Sequence, residues 1–262
     1  MRDVLPPQLV DTLDGLGPLV VAFSGGVDST FLAVAASSVL PAGHVRAVTA
    51  VSPSLGAEQL DTCRQLATRW GLDWSTIETG EFDDARYLAN DTDRCYWCKS
   101  HLMDALAPLA EGATVALGVN VDDLGDYRPG QRAARERGAV FPLVTAGMTK
   151  ADVRAWSQVI GLETWDRPAS PCLSSRLPYG TPVTLGRLSA VERAESGLRR
   201  LGFGDVRVRH HGQVGLVEVP ATEIARAAAL ATEITEIVRA AGFQFVALDL
   251  EGFESGRLNR AL

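Results

Sequence analysis

Strand-type and helix-type hydrophobic patterns alternate through the first 160 residues. After a short helical opening at 7–16, the apolar run PLVVAF (18–23) ends in Ser-Gly-Gly and predicts a buried strand. A helix is expected from Asp28 to about Leu40, with Phe31, Leu32, Ala35 and Val39 on one face. HVRAVTAV (44–51), LDWSTIE (72–78) and ATVALGV (113–119) predict three more strands, and GAVFPL (138–143) is a candidate fifth. Helices are expected at 56–71, closed by Gly71, at 95–110, and at 149–161, where Thr149 is the expected N-cap. Strands that alternate with helices argue for a parallel sheet covered on both faces.

The rhythm breaks at 164–185, where Pro168, Pro171, Pro178 and Pro182 mark a connector. Beyond it the pattern reads helix (187–201), strand (205–210), strand (213–219), helix (221–241) and strand (243–250). The expected fold class is therefore α/β: an N-terminal parallel-sheet domain over 1–165, a cysteine-bearing connector over 166–186, and a small C-terminal α+β domain over 187–262.

Composition narrows the function classes. Apolar residues make up 46% of the 262 and charged residues 22%, the balance of an ordinary globular protein. No run approaches the ~20 apolar residues that a membrane helix needs, and no basic segment followed by an apolar one opens the chain. No membrane partner is expected, and the cytoplasm is the expected location. The net charge is −7, from 25 basic and 32 acidic side chains, and residues 1–170 alone carry −8. A protein that tracks a phosphate backbone shows a basic footprint, so no nucleic-acid partner is expected.

The sharpest chemical feature is Ser24-Gly25-Gly26-Val27-Asp28-Ser29, set between a buried strand and a helix. Two glycines let the backbone approach an anion, and the first amides of the helix favour phosphate there. Ser24 and Ser29 add hydroxyl donors, and Asp28 can hold Mg²⁺ or order the loop. Neither Gly-Lys-Ser/Thr nor GxGxxG is present in this loop, so it is not the usual P-loop or a dinucleotide fingerprint. SGGVDS in this position resembles the signature of the PP-loop ATP pyrophosphatases, with their adenine nucleotide alpha hydrolase-like fold. That resemblance implies ATP cleavage between the α and β phosphates, adenylation of a substrate oxygen and release of pyrophosphate.

Four cysteines are too sparse for a disulfide scaffold. Cys63 lies among apolar neighbours in a helix and is expected in the core. Cys95 and Cys98 stand at i and i+3 at a helix start, where Asp93 is a candidate N-cap and Arg94 and Lys99 favour thiolates. Cys172 lies in the proline-rich connector. Three such thiols suit zinc with His101 as a fourth ligand, a Cys95–Cys98 disulfide beside a Cys172 nucleophile, three irons of a [4Fe–4S] cluster, or simple packing beneath an active site.

RCYWCK, GVNVDDLGDYRPG, PCLSSRLPYG and RVRHHG together resemble the LarE family along nearly the whole chain. That family supplies sulfur for the nickel-pincer nucleotide cofactor. The resemblance implies adenylation of a carboxylate of pyridinium-3,5-biscarboxylic acid mononucleotide and its conversion to a thiocarboxylate. Family members draw sulfur from a sacrificial connector cysteine, here Cys172, or from a [4Fe–4S] cluster on three cysteines, here Cys95, Cys98 and Cys172. The three-cysteine pattern favours the cluster, resupplied by sulfide or another sulfur donor. A PP-loop tRNA thiolase, an amide-forming synthetase and an ATP-binding sensor are the competing assignments. The family's multimeric habit implies a homo-oligomer.

Lys99, Arg176, Arg207 and Arg209 are the candidate substrate-binding cations; paired guanidinium forks suit the phosphate of a mononucleotide. Glu195 and Glu218 are candidates for holding a divalent metal or for ordering those arginines. Asp122, Asp123 and Asp126 are expected near Mg²⁺ or as caps of the next turn, Tyr127 in a shaped loop there, and Arg128 near phosphate. His210 and His211 read as strand-end residues.

Overall fold

The computed structural model describes residues 1–125, 128–168 and 170–253. In chain order it contains α1 (Pro7–Asp14), β1 (Leu19–Ala22), α2 (Val27–Val39), β2 (Val45–Val51), α3 (Ala57–Arg69) and β3 (Trp74–Glu78). There follow α4 (Ala85–Leu88), α5 (Arg94–Leu106), β4 (Thr114–Leu117), α6 (Pro129–Glu136), α7 (Pro142–Thr145) and α8 (Lys150–Val159). The chain continues through α9 (Leu185–Arg200), β5 (Arg207–His211), β6 (Val214–Glu218), α10 (Ile224–Ala229), α11 (Ala231–Ala240) and β7 (Phe245–Leu248). These elements form two compact units, 1–84 with 95–170 and 85–94 with 171–262. The short 85–94 segment, placed by sequence in the first domain, belongs to the second unit.

In the first unit four strands pair in parallel in the order β3-β2-β1-β4. Alternation along β1 sends its side chains to two cores. Leu19 and Val21 join Phe31, Leu32, Ala35 and Val39 of α2 and Val153 of α8 on one face. Val20 joins Leu102, Met103 and Leu106 of α5, with Val115 and Leu117 of β4, on the other. The sheet is thus covered on both sides, as a parallel sheet requires.

The candidate fifth strand is not built. Val140 makes an isolated parallel bridge to Ala116, and Pro142, which has no amide to donate to a ladder, opens the short helix α7 instead. The helix expected over 221–241 is also interrupted. A 3-10 turn at Ala221–Glu223 leads into α10, and Leu230 (φ −100°, ψ 26°) separates α10 from α11.

In the second unit β6 lies between an antiparallel β5 and a parallel β7. Leu188, Val191, Ala194 and Leu198 of α9 are buried, as are Val208, Val217, Ile234 and Val238. No helix among the described residues is long and apolar enough to cross a membrane.

Strand order fixes where the first unit can bind a ligand. The chain leaves β1 for β2 on one side and later returns to β4 on the other, so the loops after β1 and β4 diverge at a topological switch point. At that point Gly118 approaches the start of α2 so closely that a Cβ would stand 2.8 Å from the Ser29 amide nitrogen and 2.9 Å from the Asp28 carbonyl carbon. Gly118→Ala must therefore separate β4 from α2, at a cost of about 1–3 kcal/mol. Thermal unfolding should show a lower midpoint for this variant; an unchanged midpoint would mean that the contact is not enforced.

Candidate functional site

The loop at the end of β1 is shaped by its neighbours on β2 and α3. Phe23 continues the ladder with its amide on the Val48 carbonyl (2.8 Å), and Thr49 Oγ1 donates to the Phe23 carbonyl (2.7 Å). Gln59 of α3 donates to the Ser24 carbonyl (2.5 Å). Gly25 has φ +68°, a conformation L side chains rarely adopt, and a Cβ there would sit 3.0 Å from the Cys63 sulfur. Cys63 is buried as expected, and burial raises its thiol pKa. It packs the underside of the loop.

Ser29 folds back over the turn. Its hydroxyl accepts from the Ser24 amide (3.2 Å), lies 3.0 Å from Ser24 Oγ and reaches the Gly26 carbonyl (3.2 Å). Gly26 is the N-cap of α2 and has no side chain to cap it. The first amides of the helix therefore point into the turn without a side-chain acceptor, which is the arrangement of an anion site.

Asp28 is the polar centre of this site. Asn120, in the loop after β4, donates to Asp28 Oδ1 (3.1 Å), and Lys150 Nζ lies 2.5 Å from Asp28 Oδ2. Lys150 is the first residue of α8, whose start is fixed separately. Thr149 and Asp152 form a reciprocal capping box, and the Lys150 amide donates to Asp122 (2.8 Å). Asp123 accepts from the Asn120 amide (3.2 Å) and pairs with Arg128 (2.9 Å). Asp122 and Asp123 thus act as turn caps here; Asp126 and Tyr127 lie outside the described residues. Arg167 donates to the Gly25 carbonyl (3.3 Å), on a turn held by Arg154 through the carbonyls of Trp165 and Arg167. Neither Lys150 nor Arg167 was singled out from the sequence.

In the same unit Cys95 is exposed and Cys98 partly exposed in the first turn of α5, with Lys99 next to them. His101, one turn further on, has Nε2 3.0 Å from Asp84. None of the four cysteines is in a disulfide. Among the described residues no group of three or more His, Cys, Asp or Glu side chains is arranged to hold a metal ion.

In the second unit Cys172 is exposed and is the N-cap of the 3-10 turn Leu173–Arg176. Buried arginines hold that turn from within. Arg176 forms a fork on Glu195 (2.8 and 3.0 Å) and donates its remaining nitrogen to the carbonyls of Pro171 (2.6 Å) and Cys172 (3.1 Å). Arg209 pairs with Glu218 (2.9 Å) and donates to the Ser175 carbonyl (2.8 Å). The inserted segment adds three ties. Tyr87 bonds Ser174 (2.7 Å), Asn90 reaches the carbonyls of Pro178 and Thr181 (both 2.8 Å), and Arg94 reaches that of Ser174 (2.8 Å).

Glu195 and Glu218 are both engaged by arginine, the ordering role, one of the two expected of them. Glu195 also accepts from Arg199 (2.9 Å) and from the Val208 amide (3.1 Å). The pairing gives each buried carboxylate a counter-charge. Arg176 and Arg209 divide their donors between these carboxylates and the carbonyls of the Cys172 turn. Arg207 is buried with its guanidinium 5.0 Å from the Phe253 ring, and burial, reinforced by Arg176, lowers its pKa to about 10. His210 is buried within β5, whereas His211 ends the strand exposed.

No family model matches the chain. A pyridinium-3,5-bisthiocarboxylic acid mononucleotide synthase of Lactiplantibacillus plantarum is 37% identical over 257 residues, covering 97% of this chain and 93% of its own. The chain belongs to the LarE family. Uncharacterized proteins of Synechocystis sp. and Methanocaldococcus jannaschii share 46% identity over 93% of the chain and 24% over 90%, covering 92% and 91% of their own lengths.

In this LarE-family chain the carboxylate of Glu195, on α9, is the counter-charge of the arginine that holds the cysteine turn. Glu195→Ala leaves the fully buried Arg176 without its counter-charge, which costs about 3–5 kcal/mol. Urea unfolding should show a correspondingly lower midpoint; wild-type stability would mean that the pair does not hold the second unit together.

Proposed function

We propose that this chain is an ATP-dependent sulfur transferase of nickel-pincer cofactor assembly. Its substrate is a pyridinium-3,5-biscarboxylic acid mononucleotide, one carboxylate of which is adenylated with release of pyrophosphate and then converted to a thiocarboxylate. The observation that carries this assignment is the similarity to the L. plantarum synthase along nearly the full chain. The uncapped start of α2 beside Ser24–Gly26, at the switch point of the sheet, is a fitting phosphate site. The same similarity to a mononucleotide synthase favours a small substrate over tRNA.

The chemistry follows from what each group offers. The substrate carboxylate attacks the α-phosphorus, and the acyl-adenylate carries AMP as a good leaving group. A sulfur nucleophile then displaces AMP from the carboxyl carbon. Ser24, Ser29 and the loop amides bind and orient phosphate, and Asp28 is the carboxylate placed to hold Mg²⁺ there. Arg207 and Lys99 remain the candidate cations for the substrate's own phosphate.

For the sulfur source we favour a [4Fe–4S] cluster on Cys95, Cys98 and Cys172, which would supply a sulfide for transfer. Soft, solvent-accessible thiols suit such a group. The exposure of Cys172 at the head of a tightly held turn equally suits the second reading, in which it gives up its own sulfur. The working form we propose is a cytoplasmic homo-oligomer.

Two experiments test these assignments. Asp28→Ala should abolish pyrophosphate release, whereas Cys172→Ala should keep it and stop thiocarboxylate formation. Equal loss of both activities in Cys172→Ala would refute that division of labour. Protein purified without oxygen should contain about four iron and four sulfide per chain, lost in Cys172→Ala. Absence of both, with Cys172 converted to dehydroalanine after turnover, would establish the sacrificial route instead.

A further inference from the structure

Arg207 is a candidate cation for the substrate's phosphate, yet only 5% of it is exposed. Burial lowers its pKa to about 10, so it keeps its charge at neutral pH. A phosphate monoester reaches a guanidinium covered to this degree only if the cover moves. Arg176 and Glu195, which also act on Arg207, are fixed in their buried pair. The cover that can move is the half-buried Phe253, whose ring centroid lies 5.0 Å from the guanidinium carbon.

The backbone shows how Phe253 comes to lie there. Along β6 and β7 the amides of Phe245 and Asp249 donate to the carbonyls of Gln213 and Val217, a constant offset of 32 residues. The Val219 carbonyl instead accepts from the Phe253 amide (2.8 Å), where that offset calls for Glu251. Two extra residues are thus turned out of the ladder, as in a bulge, a device that re-aims a side chain. The Glu251 amide donates to Asp249 Oδ1 (2.9 Å) to close the turn. Gly252 has φ +77°, and a Cβ there would stand 3.0 Å from the Ala221 amide nitrogen and 3.1 Å from the Val219 carbonyl oxygen.

We propose that residues 249–253 form a strap that closes over Arg207, and that the phosphate of a mononucleotide opens it by displacing the Phe253 ring. A phosphate dianion offers the guanidinium two charge-assisted hydrogen bonds in place of one ring contact, so the exchange is favourable when phosphate arrives. Affinity is then reduced by the fraction of molecules that are open beforehand, and removing the ring restores it.

This inference rests on the assignment of Arg207 to the substrate's phosphate, and the variants separate the two. Ribose 5-phosphate is titrated calorimetrically into the full chain as wild type, Phe253→Ala, Arg207→Gln and the double variant. Phe253→Ala should bind it about 3–10-fold more tightly than wild type, and the KM for the pyridinium mononucleotide in pyrophosphate release should fall by a similar factor. The gain should vanish in the double variant. Unchanged or weaker binding by a folded Phe253→Ala overturns the strap and leaves the role of Arg207 standing. If Phe253→Ala does not fold, Gly252→Ala decides, because its Cβ forces the strap away from Ala221 and Val219. The same tightening is expected, and its absence overturns the inference. Wild-type affinity in Arg207→Gln removes the assignment of Arg207 and the strap's function with it. Absence of binding in both wild type and Phe253→Ala also overturns the inference.

Discussion

The close approach of β4 to the start of α2 is the constraint on which the first unit's chemistry depends. With hydrogen as its side chain, Gly118 lets the loop after β4 lie against the Asp28–Ser29 backbone. Only at that separation does Asn120 reach Asp28 across 92 residues of sequence. The next turn then brings Asp122 to the head of α8 and Lys150 to Asp28. A switch in strand order opens a crevice in any parallel sheet. What distinguishes this one is that loops from β1, β4 and α8 meet through a single aspartate.

The second unit is organised by charge in its interior. Arg176, Arg207, Arg209, Glu195 and Glu218 are all buried. Taking such groups out of water costs several kcal/mol per ion, repaid only when geometry and hydrogen bonds are complete. Here they are used to fix backbone rather than to add stability as such. Arg176 and Arg209 between them hold the carbonyls of Pro171, Cys172 and Ser175, which leaves the cysteine exposed on a turn whose path is determined on its inner side. A hydrophobic core could bury the same volume, but it could not accept from or donate to the backbone of a turn rich in proline.

The local features of the first unit are legible in the residues. The loop SGGVDS sits between β1 and α2, Thr149 caps α8, and Cys63 is buried, because each is decided by neighbours within a few positions. What escaped notice was set by distance. Lys150 lies 122 residues from Asp28 and Arg167 142 from Gly25, and nothing in the motifs around either announces a partner in the loop. The 85–94 segment looked like part of the first domain because its own pattern is short and polar, whereas its bonds to 174–183 define where it belongs. Arg176 is a candidate because it lies close to Cys172 in sequence, and Arg209 because it alternates with Arg207 along one strand face. Neither pattern shows that carboxylates on α9 and β6 pair with Arg176 and Arg209.

Charge distribution joins these observations to the size of the substrate. Residues 1–170 carry −8, and the cations described at the loop after β1 are delivered singly, by Lys150 and Arg167, rather than as a basic stripe. Binding a polynucleotide draws on many phosphate contacts at once, and its affinity scales with their number. The loop after β1 gathers two serine hydroxyls, Lys150 and Arg167 in a segment of net negative charge, which offers few such contacts. The same economy holds in the second unit, where arginines are buried and committed to a turn instead of spread over a face. In neither unit are the described cations laid out as the row of phosphate contacts that a polynucleotide draws on.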